Sequence, residues 1–99
     1  MRLQEIAHAR TGDKGNIINI SLIAYRAGDF PMLEERVTAE KVAARFENLI
    51  SGPVVRYSLP HLWALNFVLK RPDNLGVTRS LALDAHGKCL GSALLEMEI

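Results

Sequence analysis

The chain has 99 residues, 48% of them apolar and 23% charged, with a formal net charge of +1 at pH 7. That length supports one hydrophobic core, so residues 1–99 read as a single domain. Near-neutral charge, with no Lys/Arg run interleaved with aromatics, gives no footprint for nucleic acid or an anionic membrane. No apolar run approaches the roughly 18 residues that a membrane span needs. Met1-Arg2-Leu3-Gln4-Glu5 lacks the apolar stretch of a signal peptide, and a lone cysteine, Cys89, excludes an internal disulfide. Both features point to the reducing cytoplasm.

Leu3 to Ala9 reads as a short strand and Ile17 to Tyr25 as a stronger one. In the second, Ile18, Ile20, Leu22 and Ala24 share a face, while Asn19 and Ser21 point the other way. Arg26 to Pro31 breaks the pattern, and Met32 to Arg36 suits a short turn of helix. Thr38 is placed to cap an amphipathic helix over Ala39–Ile50, with Val42, Ala43, Phe46, Leu49 and Ile50 on its apolar stripe. Ser51-Gly52-Pro53 ends it, because Pro53 cannot continue the hydrogen-bond ladder.

Val54 to Leu59 alternates as a strand, and Pro60 suits the start of a short, very apolar helix over His61–Leu69. Lys70 to Gly76 is a loop by composition, and Val77 to Asp84 a further strand. Ala85-His86-Gly87-Lys88 has the composition of a hairpin turn, leading to a last strand from about Leu90 to Ile99. The expected order is ββαβαββ. Two helices on about five mostly antiparallel strands make an α+β, ferredoxin-like two-layer sandwich.

The chemically richest stretch is His8-Ala9-Arg10-Thr11-Gly12-Asp13-Lys14-Gly15-Asn16, between the first two strands. Its glycines permit positive φ and close backbone approach, and Arg10 and Lys14 suit a carboxylate or phosphate. It matches neither G-x-x-x-x-G-K-[ST] nor G-x-G-x-x-G. A bare hairpin turn, with Asp13 paired to Lys14 or Arg10, is the plain alternative. Arg10, Thr11, Gly12, Asp13, Lys14, Gly15, Asn16 and Asn19 are the candidate ligand-binding residues here. His8, Asp13 and Lys14 are the candidates for acid–base chemistry, His8 because imidazole titrates near neutrality.

Asn66, inside an apolar run, and Arg79, inside an alternating strand, join the binding candidates, because a polar group there needs a partner. Trp63 and Phe67 read as core or subunit interface. His86 and Cys89 have metal-like spacing without a second Cys/His pair, so no metal site is expected. His61 borders the short helix. No G-x-S-x-G elbow supports covalent catalysis.

Ala7 to Asn16 followed by Asn19-Ile20 resembles the signature of the AtuA-like ferredoxin-fold domain family. The likeness continues through Leu59-Pro60, Ala64 to Leu69, Gly76 to Leu81, and Asp84 to Lys88. Thr11 stands where serine is more usual, which keeps the hydroxyl. The resemblance implies a domain that accompanies a larger AtuA-type domain or is encoded as a separate small protein. It also implies a setting in bacterial catabolism of acyclic terpenoids and branched acyl-CoA compounds, and it carries over no catalytic residue. Three readings stay open. The first is an accessory subunit that partners a larger AtuA-type chain, with an acyl-CoA-like compound as candidate ligand and no tightly held cofactor. The second is a homo-oligomeric module binding an anionic small molecule. The third is a small acid–base enzyme using His8, Asp13 and Lys14.

Overall fold

The fold is described from a computed structural model, which covers residues 1–71 and 87–99, with the backbone alone for 87–89. A 3-10 turn at Leu3–Glu5 leads into β1 (Ala7–Lys14), and β2 (Ile17–Ala24) follows after two residues. Next come α1 (Phe30–Arg36), α2 (Ala39–Arg45), β3 (Val55–Leu59) and β4 (Ala64–Lys70). A further helix, α3, spans Gly87–Leu95. The four strands form one antiparallel sheet in the order β1-β2-β4-β3. Helices and sheet make the expected α+β arrangement, but its parts differ from the ββαβαββ order.

The largest correction is at residues 61–69, which form a 3-10 turn (Pro60–Leu62) and then β4 rather than a helix. A short apolar run satisfies both helical and strand spacing, and only its neighbours decide. Here β2 and β3 pair with it on both sides, and Leu65, Phe67 and Leu69 alternate into the core. The second correction is at the C-terminal end, where residues expected in a strand from Leu90 form α3 instead. Leu90 and Leu94, one turn apart, are its buried pair. Gly87 and Lys88, read as hairpin turn, open that helix. The expected strand over 77–84, together with Ala85, His86 and Arg79, lies outside the described residues. Among the described residues there are four strands and three helices, and the expected five strands are not confirmed.

Other expectations hold with changed boundaries. The helix from Ala39 ends at Arg45, five residues early, and its cap is as expected: the Lys41 N–H donates to Thr38 Oγ1 at 3.2 Å. Residues 32–36 are helical within α1. Leu3–Ala9 divides into the 3-10 turn and the start of β1.

The helices cover one sheet face. Ile18, Ile20, Leu22 and Ala24 of β2 and Leu65, Phe67 and Leu69 of β4 meet Phe30, Leu33, Val42, Phe46, Leu90 and Leu94 in one core. Side chains fasten this layer. Arg56 on β3 donates to the Glu34 and Val37 carbonyls at 2.7 and 2.9 Å, which satisfies the C-terminal end of α1. Ser58 Oγ donates to the Glu34 carboxylate. Arg45 donates twice to the Ala93 carbonyl, tying α2 to α3. The α3 backbone lies so close to β1 that a Cβ on Gly91 would come within 2.9 Å of Thr11 Oγ1.

Candidate functional site

The stretch read as a loop from Arg10 to Asn16 is mostly strand. β1 pairs with β2 through Lys14↔Ile17, leaving Gly15-Asn16 as a two-residue turn. Gly15 has φ +60 and Asn16 is not in the positive region, as in a type II′ hairpin. A residue added at Gly15 meets nothing within 4 Å, so its constraint is backbone alone. Gly15→Ala should therefore lower stability by about 1–2 kcal/mol through backbone strain. Gly15→Asn should recover part of that loss, both read from thermal melts.

Strand alternation then sorts the candidates onto two faces. Thr11 and Asp13 lie opposite the core residues Ile20 and Ile18, on the helix side. His8, Arg10, Gly12 and Lys14 lie on the other face. That face continues through Ile17, Asn19, Ser21 and Ile23 of β2, then Ala64, Asn66, Val68 and Lys70 of β4, and Val55, Tyr57 and Leu59 of β3. The sheet thus gathers His8, Arg10, Gly12, Lys14, Asn19 and Asn66 on one surface and separates Asp13 from them. Arg79 lies outside the described residues.

Asp13 is held on the helix side. Arg71 Nη2 donates to Asp13 Oδ2 at 2.6 Å, and the Arg71 backbone N–H donates to the Asn16 carbonyl at 2.7 Å. Arg71 Nη1 reaches the Gly15 carbonyl at 3.4 Å. The guanidinium thus clamps the hairpin tip from beneath. Neither Arg10 nor Lys14 is the partner of Asp13, as the sequence suggested; Arg71, unremarked in an apparent loop, holds it. Nothing in its sequence position signals this.

On the open face, one cross-strand row runs Arg10–Ser21–Asn66–Tyr57. Asn66 Nδ2 donates to Ser21 Oγ at 2.9 Å, so the amide that interrupts an apolar run has a cross-strand partner. Tyr57 is 55% exposed. His8 stacks on Tyr25, with ring centroids 5.2 Å apart. Among the described residues, no side chain bonds to Arg10 or Lys14, and no Asp or Glu occupies these rows. Among the described residues, this face of the strands thus carries basic and no acidic side chains. Tyr57, Ser21 and Lys70 were not among the sequence candidates; the outward phase of β2 already hinted at Ser21.

Phe67 is fully buried, as a core residue should be, whereas Trp63 is 42% exposed in a left-handed conformation (φ 54) at the β3–β4 turn. Glu98 is held below the usual carboxylate range by a hydrogen bond and attraction from the Met1 amino group, with Arg2 adding to it. It sits at the Arg2↔Glu98 bridge, outside the four strands. Among the described residues, no group of three His, Cys, Asp or Glu is placed to hold a metal. None of their helices is long and apolar enough to cross a membrane.

Compared with known families, the sequence matches the AtuA ferredoxin-like domain over residues 1–99, the whole chain. The chain belongs to that family. No curated protein and no solved structure matches it. For this AtuA ferredoxin-like domain, the motif that carried the resemblance combines two physical tasks. Asp13, Gly15 and Asn16 build the clamped hairpin, while Arg10, Gly12, Lys14 and Asn19 dress the open face.

Proposed function

We propose that this AtuA ferredoxin-like domain is a small accessory subunit that partners a larger AtuA-type chain in acyclic terpenoid or branched acyl-CoA catabolism, and holds an anionic, acyl-CoA-like ligand. The observation that carries the ligand part is the sheet face where Arg10 and Lys14 stand beside Asn19, Ser21 and Asn66, with no acidic neighbour in the same rows among the described residues. Charge-assisted bonds to an anion are the stronger kind, and backbone held in a sheet fixes their donors. The partner part rests on family membership. Its test is recovery of the tagged full chain from its native host, with partners identified by mass. An AtuA-type chain in stoichiometric amount is expected, and recovery of the small chain alone counts against partnership.

A second reading, a homo-oligomeric binding module, is favoured by exposed Tyr25, Leu62 and Trp63 near one end of the sheet. A multiple of the chain's mass in that recovery supports it. An acid–base enzyme built on His8, Asp13 and Lys14 draws less support, because Asp13 faces the helix layer and is engaged by Arg71.

Lys14→Ala should weaken anionic-ligand binding by about tenfold or more. Its stability should stay within roughly 0.5 kcal/mol of wild type, since the side chain is exposed. A variant silent in both calorimetric titration and thermal melting would leave Lys14 without a role.

A further inference from the structure

Trp63 takes a backbone conformation that its own side chain opposes. It closes the 3-10 turn Pro60–Leu62 with φ 54 and ψ 38, the left-handed region that glycine enters freely and bulky residues rarely. The backbone is held there from both sides. The Trp63 N–H donates to the Pro60 carbonyl at 3.1 Å, and the Trp63 carbonyl accepts from the Ala24 N–H at 2.9 Å. The connection therefore requires this conformation but not an indole, and glycine would meet the requirement without strain. Nor does packing within the domain offset the strain. Trp63 is neither a core residue nor one of the half-buried apolar residues packed against the core. Strain that the fold itself does not need marks a residue kept for contact with something else.

Its surroundings fit a protein partner. β2 and β4 pair through Ile23↔Ala64, so the chain after Ala24 and the chain before Ala64 leave the sheet at the same end. Residues 25–28 and 60–63 are all exposed, with Tyr25, Leu62 and Trp63 at 57, 56 and 42%. Tyr25, Arg26 and Trp63 are the three residue types most enriched among side chains that carry the binding energy of protein interfaces. The Arg26 guanidinium has no ion pair or hydrogen bond among the described residues.

Exposure alone also suits a second copy, as in the homo-oligomeric reading, but the area does not. At about 150–250 Å² for a whole aromatic side chain, the exposed parts of Tyr25, Leu62 and Trp63 present about 300 Å² together. Two-fold pairing through such a tip falls well short of the roughly 800 Å² per partner of a stable interface, and it places both Arg26 side chains in one small contact. A cleft in a larger chain closes round the flanking residues as well, and a carboxylate on its rim complements Arg26.

We infer that this end of the sheet is the docking tip for the larger AtuA-type chain, with the Trp63 ring seated in an apolar cleft of that chain and Arg26 against an acidic group at its rim. This rests on the partnership reading above and names the surface through which the two chains meet.

The test is calorimetric titration of the purified full chain with the purified AtuA-type chain of its host. Binding is expected, and Trp63→Gly should weaken it about thirtyfold or more. The melting temperature of that variant should not fall, because relief of the strain offsets the added freedom of glycine in the unfolded chain. Trp63→Ala removes the ring but keeps the strained backbone, so it should lose as much binding and melt below Trp63→Gly. Tyr25→Ala and Arg26→Ala should each weaken binding about fivefold or more. Wild-type affinity in Trp63→Gly overturns this inference and leaves the partnership standing. Failure of the wild-type chain to bind overturns both. A lower melting temperature for Trp63→Gly shows that the ring supports the fold, and also overturns it. So does light scattering in which Trp63→Gly turns a self-associated chain into a monomer, which assigns the tip to a second copy. Sedimentation with phosphatidylserine vesicles that is lost in Trp63→Gly assigns it to a lipid surface, with the same consequence.

Discussion

Phe46→Ala should destabilise the domain by about 3–5 kcal/mol, the usual cost of deleting a buried aromatic ring. Phe46 is 4% exposed and belongs to the same core as Val42, Ile18 and Ile20. It follows the last residue of α2, and its N–H closes the helix on the Val42 carbonyl at 3.2 Å. The ring therefore anchors the end of α2 on the sheet. The Leu49 N–H bonds to the Phe46 carbonyl at 2.8 Å, so the chain turns away immediately afterwards. A single short helix offers few other large groups for that anchor, so little can collapse into the space left behind. In a domain of this size the loss should lower the melting temperature by roughly 12 °C or more. An unchanged midpoint would mean that the ring faces water and that α2 is wrongly phased. Phe46→Leu, which retains much of the volume, should recover more than half of the loss.

Arg71→Ala is expected to cost about 2–3 kcal/mol. It removes a guanidinium that is 8% exposed, its bonds to Asp13 and Gly15, and a buried hydrocarbon stem. Asp13→Ala breaks the same pair from the other side and leaves that guanidinium without this carboxylate. The full penalty for breaking a buried pair is reduced here, because Asp13 is 52% exposed and water reaches it. About 1–3 kcal/mol is expected. Because both variants remove one interaction, a double-mutant cycle should show coupling of about 0.5 kcal/mol or more. The outcome also assigns Asp13 its role. If it serves the clamp, Asp13→Asn shifts the melting temperature and leaves ligand affinity on the opposite face nearly unchanged. If it serves a ligand, affinity falls while the melting temperature stays. Lys in place of Arg71 should not restore stability, since a point charge cannot make the forked contacts to Asp13 and Gly15.

Residue pattern alone determined a good deal of this protein. The alternation of Ile18, Ile20, Leu22 and Ala24 is a two-residue period that only a half-buried strand satisfies over that length, and those residues are the core face of β2. Thr38 as a helix cap is local chemistry, one hydroxyl and one orphan N–H, and needs no tertiary partner to be read. The glycine-rich motif likewise located both the hairpin and the family.

Tertiary structure alone decided the remainder. Residues 64–70 became a strand because β2 and β3 offer ladder partners on both sides; an apolar run this short fits helical and strand spacing alike, so its sequence does not decide between them. Residues 90–95 became part of a helix because the β1–β2 surface needed cover, although Ala93, Leu95 and Met97 also alternate as a strand would. Asp13 and Arg10 stand only three residues apart, yet pairing to β2 sends them to opposite faces. Which charges share a surface depends on strand register, and register is fixed by the hydrophobic face rather than by the charges themselves. Arg71 was unreadable for the same reason: its partners are 56 and 58 residues away, and only the fold brings them beneath it.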